Sequence, residues 1–272
     1  MYIAEISCNH GGNYDVCCQM FRDARRAGAD VVKIQLFTPD QMTRKRYSPR
    51  YVIPDGPWKG RDLYGLYEEA MTPKEWLPHL QDLAVELGVG LMVSVFHPDM
   101  VLYCEDYEVE MYKVASPEVG YRDLLEELDF VDKPVFVSTG LATRDELKWI
   151  HAKIGNLTFL HCVTEYPASV DECNLLTLLD LAKFKVPVGL SDHSKGLIAP
   201  VAATVLGASV IEKHFKITDD CLDAEFSLNP VEFNAMVQAC EATKDALGAV
   251  SFKGTGRYKR RLVDGDFIRV VE

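Results

Sequence analysis

The sequence predicts a (β/α)8 TIM barrel, a single α/β domain with a long insertion between the second strand and the second helix. Strand-like and helix-like runs alternate along the chain, and there are eight such pairs. The strand runs are short, apolar and rich in Val and Ile, as strands covered by helices are. The length of 272 residues suits one barrel, since such folds typically take about 250. The competing architecture is a doubly wound open sheet. It would more naturally carry a glycine-rich phosphate turn after its first strand, and Asn9-His10-Gly11-Gly12 does not have that spacing.

The pairs run as follows. Residues 2–6 precede a helical pattern over 14–28. Residues 31–37 lead into the insertion, 38–71, and then a helix over 72–88. Strands at 91–96, 111–116, 134–140 and 157–163 precede helices at 98–107, 121–130, 143–155 and 174–184. The last two pairs are 186–192 with 197–207, and 210–215 with 229–248. Thr72 and Thr143 each stand three residues before a glutamate, Glu75 and Glu146, the spacing of a capping box. Gly28, Gly88, Gly155, Gly207 and Gly248 fall where helices should stop. The insertion is rich in Pro, Tyr, Arg and Trp and lies on the C-terminal side of the strands. It reads either as a lid or substrate wall, or as a packed decoration. The barrel is expected over 1–250, with 251–272 as a polar, basic C-terminal tail.

A formal net charge of −12 argues against a nucleic-acid surface. It leaves room for a small anionic ligand held by a few lysines. The first residues lack the pattern of a secretory leader, and no apolar run reaches the roughly 20 residues of a membrane span. A cytoplasmic enzyme with no membrane partner is expected. The 8 cysteines are scattered without a CxxC pair, which favours buried thiols over a disulfide framework.

Function concentrates at the strand C-termini, where barrel ligands bind. His193 and His214 end the last two strands. They are either two core imidazoles or a divalent-metal pair; two His ligands suit Mn²⁺ or another first-row ion. Lys33 and Lys113 lie inside core strands, and lysine is seldom fully buried without a partner. They imply an anionic ligand, Schiff-base chemistry, or pairing with carboxylates such as Glu5 or Glu212. Gln35 shares a face with Lys33. Ser94, Phe96, Ser116, Glu118, Thr164, Tyr166 and Ser191 stand at other strand ends, and Asp223 lies in the loop after the eighth strand. Hydroxyls beside the lysines make a phosphate or carboxylate cradle. His10 and His161 are weaker candidates, His161 as an internal barrel residue.

The stretches IAEISCNHGG, AGADVVKIQLF, YKVASPE, VFVSTGLAT, LHCVTEYPA, VPVGLSDHSKG, GASVIEKHF and DAEFSLNP, spread over residues 3–230, resemble the sialic acid synthase family. These are phosphoenolpyruvate-dependent enzymes that make nine-carbon 2-keto-3-deoxy sugar acids. A more distant similarity runs to synthases that condense phosphoenolpyruvate with phosphorylated sugars. The resemblance implies that Lys33, Lys113, Ser94, Ser116 and Ser191 hold phosphoenolpyruvate. It implies that His193 and His214 bind a divalent metal, Mn²⁺ with Mg²⁺ and Co²⁺ as alternatives. Gln35, Glu118, Tyr166 and Asp223 then face an open-chain, N-acetylmannosamine-like aldose, with Glu118 the carboxylate best positioned for proton transfer and Phe96 and Thr164 beside the substrates. A homodimer is also implied. The family's C-terminal antifreeze-like module, which supplies an arginine to the sugar's acyl group, is expected to be absent. Gly11 stands where some members carry a sugar-contacting side chain. Ser94-Val95 replaces a common Thr-Pro, and Pro117 lies between Ser116 and Glu118. The phosphoenolpyruvate half thus looks kept and the acceptor half altered. Two other readings compete: a Schiff-base pyruvate aldolase, and a non-catalytic binding protein for a sugar acid or phosphosugar.

Overall fold

The computed structural model describes residues 1–46, 48–252, 258–263 and 265–271. Eight parallel strands close into a barrel in chain order. They are β1 (Tyr2–Glu5), β2 (Val31–Leu36), β3 (Gly90–Val95), β4 (Met111–Val114), β5 (Val135–Ser138), β6 (Leu157–His161), β7 (Val188–Asp192) and β8 (Val210–His214). Seven are one to three residues shorter than their apolar runs, and β3 has the length of its run, shifted by one residue.

The outer ring is α1 (Tyr14–Arg26), α4 (Leu77–Leu87), α5 (Pro98–Glu105), α6 (Arg122–Phe130), α7 (Arg144–Lys153), α8 (Thr177–Leu181), α9 (Ile198–Val205) and α10 (Pro230–Leu247). The insertion adds α2 (Pro39–Met42) and α3 (Leu63–Ala70). Thr143 caps α7 through a capping box with Glu146, as its spacing predicts. Thr72 does not cap a helix. A 3-10 turn at Lys74–Trp76 precedes α4, and the buried Thr72 hydroxyl meets His10 Nε2 at 3.1 Å instead. After the barrel, β9 (Tyr258–Val263) and β10 (Asp266–Val271) form an antiparallel hairpin.

Two hydrophobic zones hold the barrel. The larger lies between the strands and the helices. The smaller plugs the interior with Ile3, Val31, Met92, Phe136, Leu160 and Val210. Burying such side chains contributes about 1.5–3 kcal/mol each before entropy is counted. Side chains in a strand alternate between its two faces. The residues two positions beyond the plug, Glu5, Lys33, Ser94, Ser138, Cys162 and Glu212, therefore form the next interior layer. Gly189 faces inward on β7, where an added Cβ would lie 2.4 Å from the Val210 carbonyl and 2.8 Å from Leu160. Only glycine leaves the plug that space.

All eight cysteines are free, and Cys221 alone is not fully buried. Among the described residues no helix is long and apolar enough to cross a membrane.

Candidate active site

A cavity of about 510 Å³ opens at the C-terminal mouth of the barrel. Thirteen of the residues singled out in the sequence line it: Lys33, Gln35, Ser94, Phe96, Lys113, Ser116, Glu118, Thr164, Tyr166, Ser191, His193, His214 and Asp223. Strand register brings them together. Gln35 stands beside Ser94, Ser94 beside Lys113, and Ser191 beside Glu212.

The two lysines differ in their surroundings. Lys33 is not a free cation. Its Nζ lies 2.9 Å from Glu5 Oε2 and 3.1 Å from Glu212 Oε2. Burial alone would lower its pKa, but Glu212 and Glu5 overcome that and hold it above the ordinary lysine value. Glu212 is the mirror case. Burial opposes its charge, yet Lys33 and then Lys113 keep it well below the usual carboxylate range. Lys113 Nζ donates to the Val114 carbonyl at 2.7 Å, and among the described residues it has no ion-pair partner. Burial pushes it down to about 8, with Glu212 opposing and Lys33 reinforcing. A buried ammonium without a carboxylate is what an anionic ligand satisfies.

The hydroxyls are partly committed. Ser191 Oγ donates to Glu212 Oε1 at 2.7 Å, so in this arrangement its hydrogen is unavailable to a phosphate. Ser116 Oγ accepts from the Leu141 amide at 2.8 Å and keeps its own hydrogen to give. Ser94 is buried in the barrel wall and lines the cavity. Gln35 Nε2 donates to Glu5 Oε1 at 2.8 Å and Ser7 Oγ at 3.2 Å, which fixes its amide. Glu118 has a buried carboxylate oxygen with no hydrogen-bond partner among the described residues. Burial raises its pKa to about 7, against the pull of Lys113.

His193 and His214 meet at ring centroids 5.6 Å apart. His193 Nδ1 donates to the Val163 carbonyl at 2.7 Å, which leaves Nε2 as its free lone pair. Burial, with His214 second, takes His193 down to about 3, so the ring is neutral. His214 Nδ1 lies 3.2 Å from Asp223 Oδ2. Asp223, read from sequence as a sugar contact, thus has its carboxylate against His214 while still lining the cavity. Two imidazoles, one held at Nδ1 by a carbonyl and one beside a carboxylate, with neither Nε2 in a hydrogen bond among the described residues, fit a divalent cation. No third His, Cys, Asp or Glu converges with them among the described residues. Tyr166 packs its ring against His193 at 4.2 Å.

Other candidates fall outside the cavity lining. His10 is held by Thr72 and packs against Trp76. His161 is not an internal residue: it is out of phase with the inward Leu160, and its Nε2 meets the Cys173 carbonyl at 2.6 Å. Sequence reasoning missed Asn9 and Trp58. Asn9 Oδ1 accepts from the Asp223 amide at 3.1 Å, and its Nδ2 donates to Phe215 and Ser227. In the sequence Asn9 stands out only as the first residue of the Asn9-His10-Gly11-Gly12 turn.

A cavity at the strand C-termini that gathers Lys113, Glu118, His193 and His214 beside Phe37, Phe96 and Tyr67 is the candidate active site of a (β/α)8 enzyme. A model of the NeuB family matches residues 20–252. The chain is 40% identical to the pseudaminic acid synthase of Campylobacter jejuni subsp. jejuni (serotype O:2) over 254 residues, 90% of this chain and 74% of that one. It is 36% identical to the pseudaminic acid synthase of Helicobacter pylori, over 90% of this chain and 75% of that one. Among solved structures, the N-acetylneuraminic acid synthetase of Leptospira borgpetersenii superposes with a TM-score of 0.84 at 25% identity. That match covers 93% of this chain and 87% of the other. The chain belongs to the NeuB family of sialic acid synthase-like enzymes.

Proposed function

We propose that the chain condenses phosphoenolpyruvate with an open-chain, neutral 2-acetamido aldose of the N-acetylmannosamine type, giving a nonulosonic 2-keto-3-deoxy sugar acid and phosphate. The observation that carries this reading is Lys113, a buried ammonium with no carboxylate partner among the described residues, in the same cavity as the apolar side chains of Phe37, Ile53, Leu66 and Tyr67. Among the described residues, Lys33 and Lys113 are the only Lys or Arg side chains lining that cavity. They serve one anionic substrate, and the apolar wall favours an acceptor without a phosphate.

In the reaction, C3 of phosphoenolpyruvate forms a bond to the aldehyde carbon, and the aldehyde oxygen takes up a proton to become a hydroxyl. Water adds through oxygen to C2. The C2–O bond to phosphorus then breaks, C2 becomes a ketone, and phosphate leaves with the bridging oxygen. The two protons of the water balance the new hydroxyl and the phosphate. Lys113, with Ser94 and the free hydrogen of Ser116, holds the anionic substrate and meets charge gathering on the leaving phosphate. Lys33 keeps Glu5 and Glu212 from repelling that substrate. Glu118 is protonated below about 7 and supplies the proton to the aldehyde oxygen. His193 and His214 would hold a divalent ion, Mn²⁺ with Mg²⁺ or Co²⁺ as alternatives. When bound, it supplies Lewis-acid polarisation of a carbonyl oxygen.

Release of inorganic phosphate from phosphoenolpyruvate, dependent on a neutral 2-acetamido aldose, tests the proposal. A Schiff-base aldolase is the second reading, favoured by the lowered proton affinity of Lys113. Borohydride traps a pyruvate adduct on that enzyme and none on the synthase.

A further inference from the structure

The turn over residues 53–61 is mostly exposed, and Trp58 is half-buried within it. Backbone bonds brace the turn: Ile53 N to Arg61 O at 2.9 Å, Gly60 N to Ile53 O at 2.9 Å, and Arg61 N to Trp58 O at 3.1 Å. The indole Nε1 donates to the Leu222 carbonyl at 3.0 Å, across to the loop between β8 and α10. Its ring lies 5.8 Å from Tyr166, on the loop after β6, and edge-on to Phe226 at 6.1 Å. Phe226 in turn packs on His214 at 4.9 Å. Leu222 directly precedes Asp223, whose amide is held by Asn9.

One side chain therefore ties three loops together around one end of the cavity. An indole has a single donor, and giving it to a backbone carbonyl fixes the ring's orientation as well as its position. The ring–ring contacts add geometry-dependent attraction on two further sides. The anion-holding groups Lys113 and Ser116 stand on and just beyond β4, whereas the partners of Trp58, namely Tyr166, Leu222 and Phe226, follow β6 and β8.

We propose that Trp58 is a positioning residue for the acceptor. It locks the insertion and the β8–α10 loop into one arrangement, so that the wall meeting the acceptor is set before the acceptor arrives. The proposal rests on the condensation reading for the identity of the acceptor, but the mechanical coupling stands apart from it.

Hydrogen exchange of the full chain tests the coupling. In Trp58→Ala, amides in residues 53–62 and 219–228 should exchange about 10-fold faster or more together, while β1–β8 keep wild-type rates. Trp58→Phe retains a ring and loses the bond to Leu222, and it should loosen 219–228 to a smaller degree. In steady-state kinetics with whichever neutral 2-acetamido aldose the wild type turns over, Trp58→Ala should raise the acceptor KM about 10-fold or more. The phosphoenolpyruvate KM should stay within about twofold. Faster exchange confined to the insertion overturns the proposal, as does an equal loss for both substrates. Coupled exchange in a wild type that turns over no aldose supports the latch and contradicts the condensation reading instead.

Discussion

Glu5 and Lys33 stand opposite each other in the β1–β2 register, and their charged ends meet at 2.9 Å. Glu212 reaches the same ammonium from β8 at 3.1 Å. Two carboxylates thus claim one lysine at the barrel floor, and the neighbouring lysine, Lys113, is left unpaired among the described residues. That division sets what each lysine does for the fold and for a ligand.

Replacing Lys33 strands two buried carboxylates. Lys33→Met should destabilise the protein by about 3–5 kcal/mol, the usual cost of breaking a buried pair. Lys113→Met removes a charge that burial already opposes. It should leave stability unchanged or raise it by up to about 3 kcal/mol, given the fall of that group to about 8. Urea denaturation of the ligand-free variants measures both. A larger loss in Lys113→Met than in Lys33→Met contradicts the assignment.

The same lysine predicts a pH dependence. Its folded pKa lies below its unfolded value, so its contribution to stability is present above about 10.5 and lost as pH falls through about 8. Anion binding has the opposite sign, because it requires the charged form. Phosphoenolpyruvate affinity, followed by titration calorimetry, should weaken as pH rises through about 8. In Lys113→Met the affinity should be low throughout and this limb should vanish.

Glu118 gives a second limb. Its folded pKa is raised to about 7, so its contribution to stability is complete below about 4.5 and lost as pH rises through about 7. As a proton donor it is competent over the same lower range. The rate of condensation should fall above about 7, and Glu118→Gln should lose about 10²–10⁴ in kcat together with that limb. A Gln variant that keeps the wild-type pH profile removes Glu118 from proton transfer.

The barrel was readable from the sequence because strands covered on both faces must be apolar along their length, and the runs at 31–37 and 91–96 show it. The site was readable because a polar side chain in such a run needs a reason, which drew attention to Lys33 and Lys113. Partner choice was not readable. Whether Lys33 faces a ligand or Glu5 depends on register between strands. Lys213 shows the same limit. It looks like another core-strand lysine, yet it is out of phase with Glu212 and His214, and it pairs with Asp192 at 2.6 Å away from the cavity. Strict period-2 counting along β8 would have separated it. Trp58 was hidden for a different reason: its partners, Leu222 and Tyr166, lie more than a hundred residues away in loops with no periodic signal.

The imidazole pair yields a binding prediction independent of turnover. Mn²⁺ titration should show one site that is lost in His193→Ala and in His214→Ala. Asp223→Asn should weaken it about 10–100-fold, as loss of a bracing carboxylate does. Unchanged Mn²⁺ affinity in His214→Ala would falsify the metal assignment.

The central claim is condensation by way of C–O cleavage in the cavity between Lys113 and the apolar wall. It is tested most directly with phosphoenolpyruvate labelled with ¹⁸O in the bridging position. The enzyme is supplied with Mn²⁺ and a panel of neutral 2-acetamido aldoses, with and without chelator. The account predicts one phosphate and one 2-keto sugar acid per turnover, the label wholly in the phosphate, and no product under chelation. Label retained in the sugar acid contradicts it, as does a borohydride-trapped pyruvate adduct on Lys113 or Lys33.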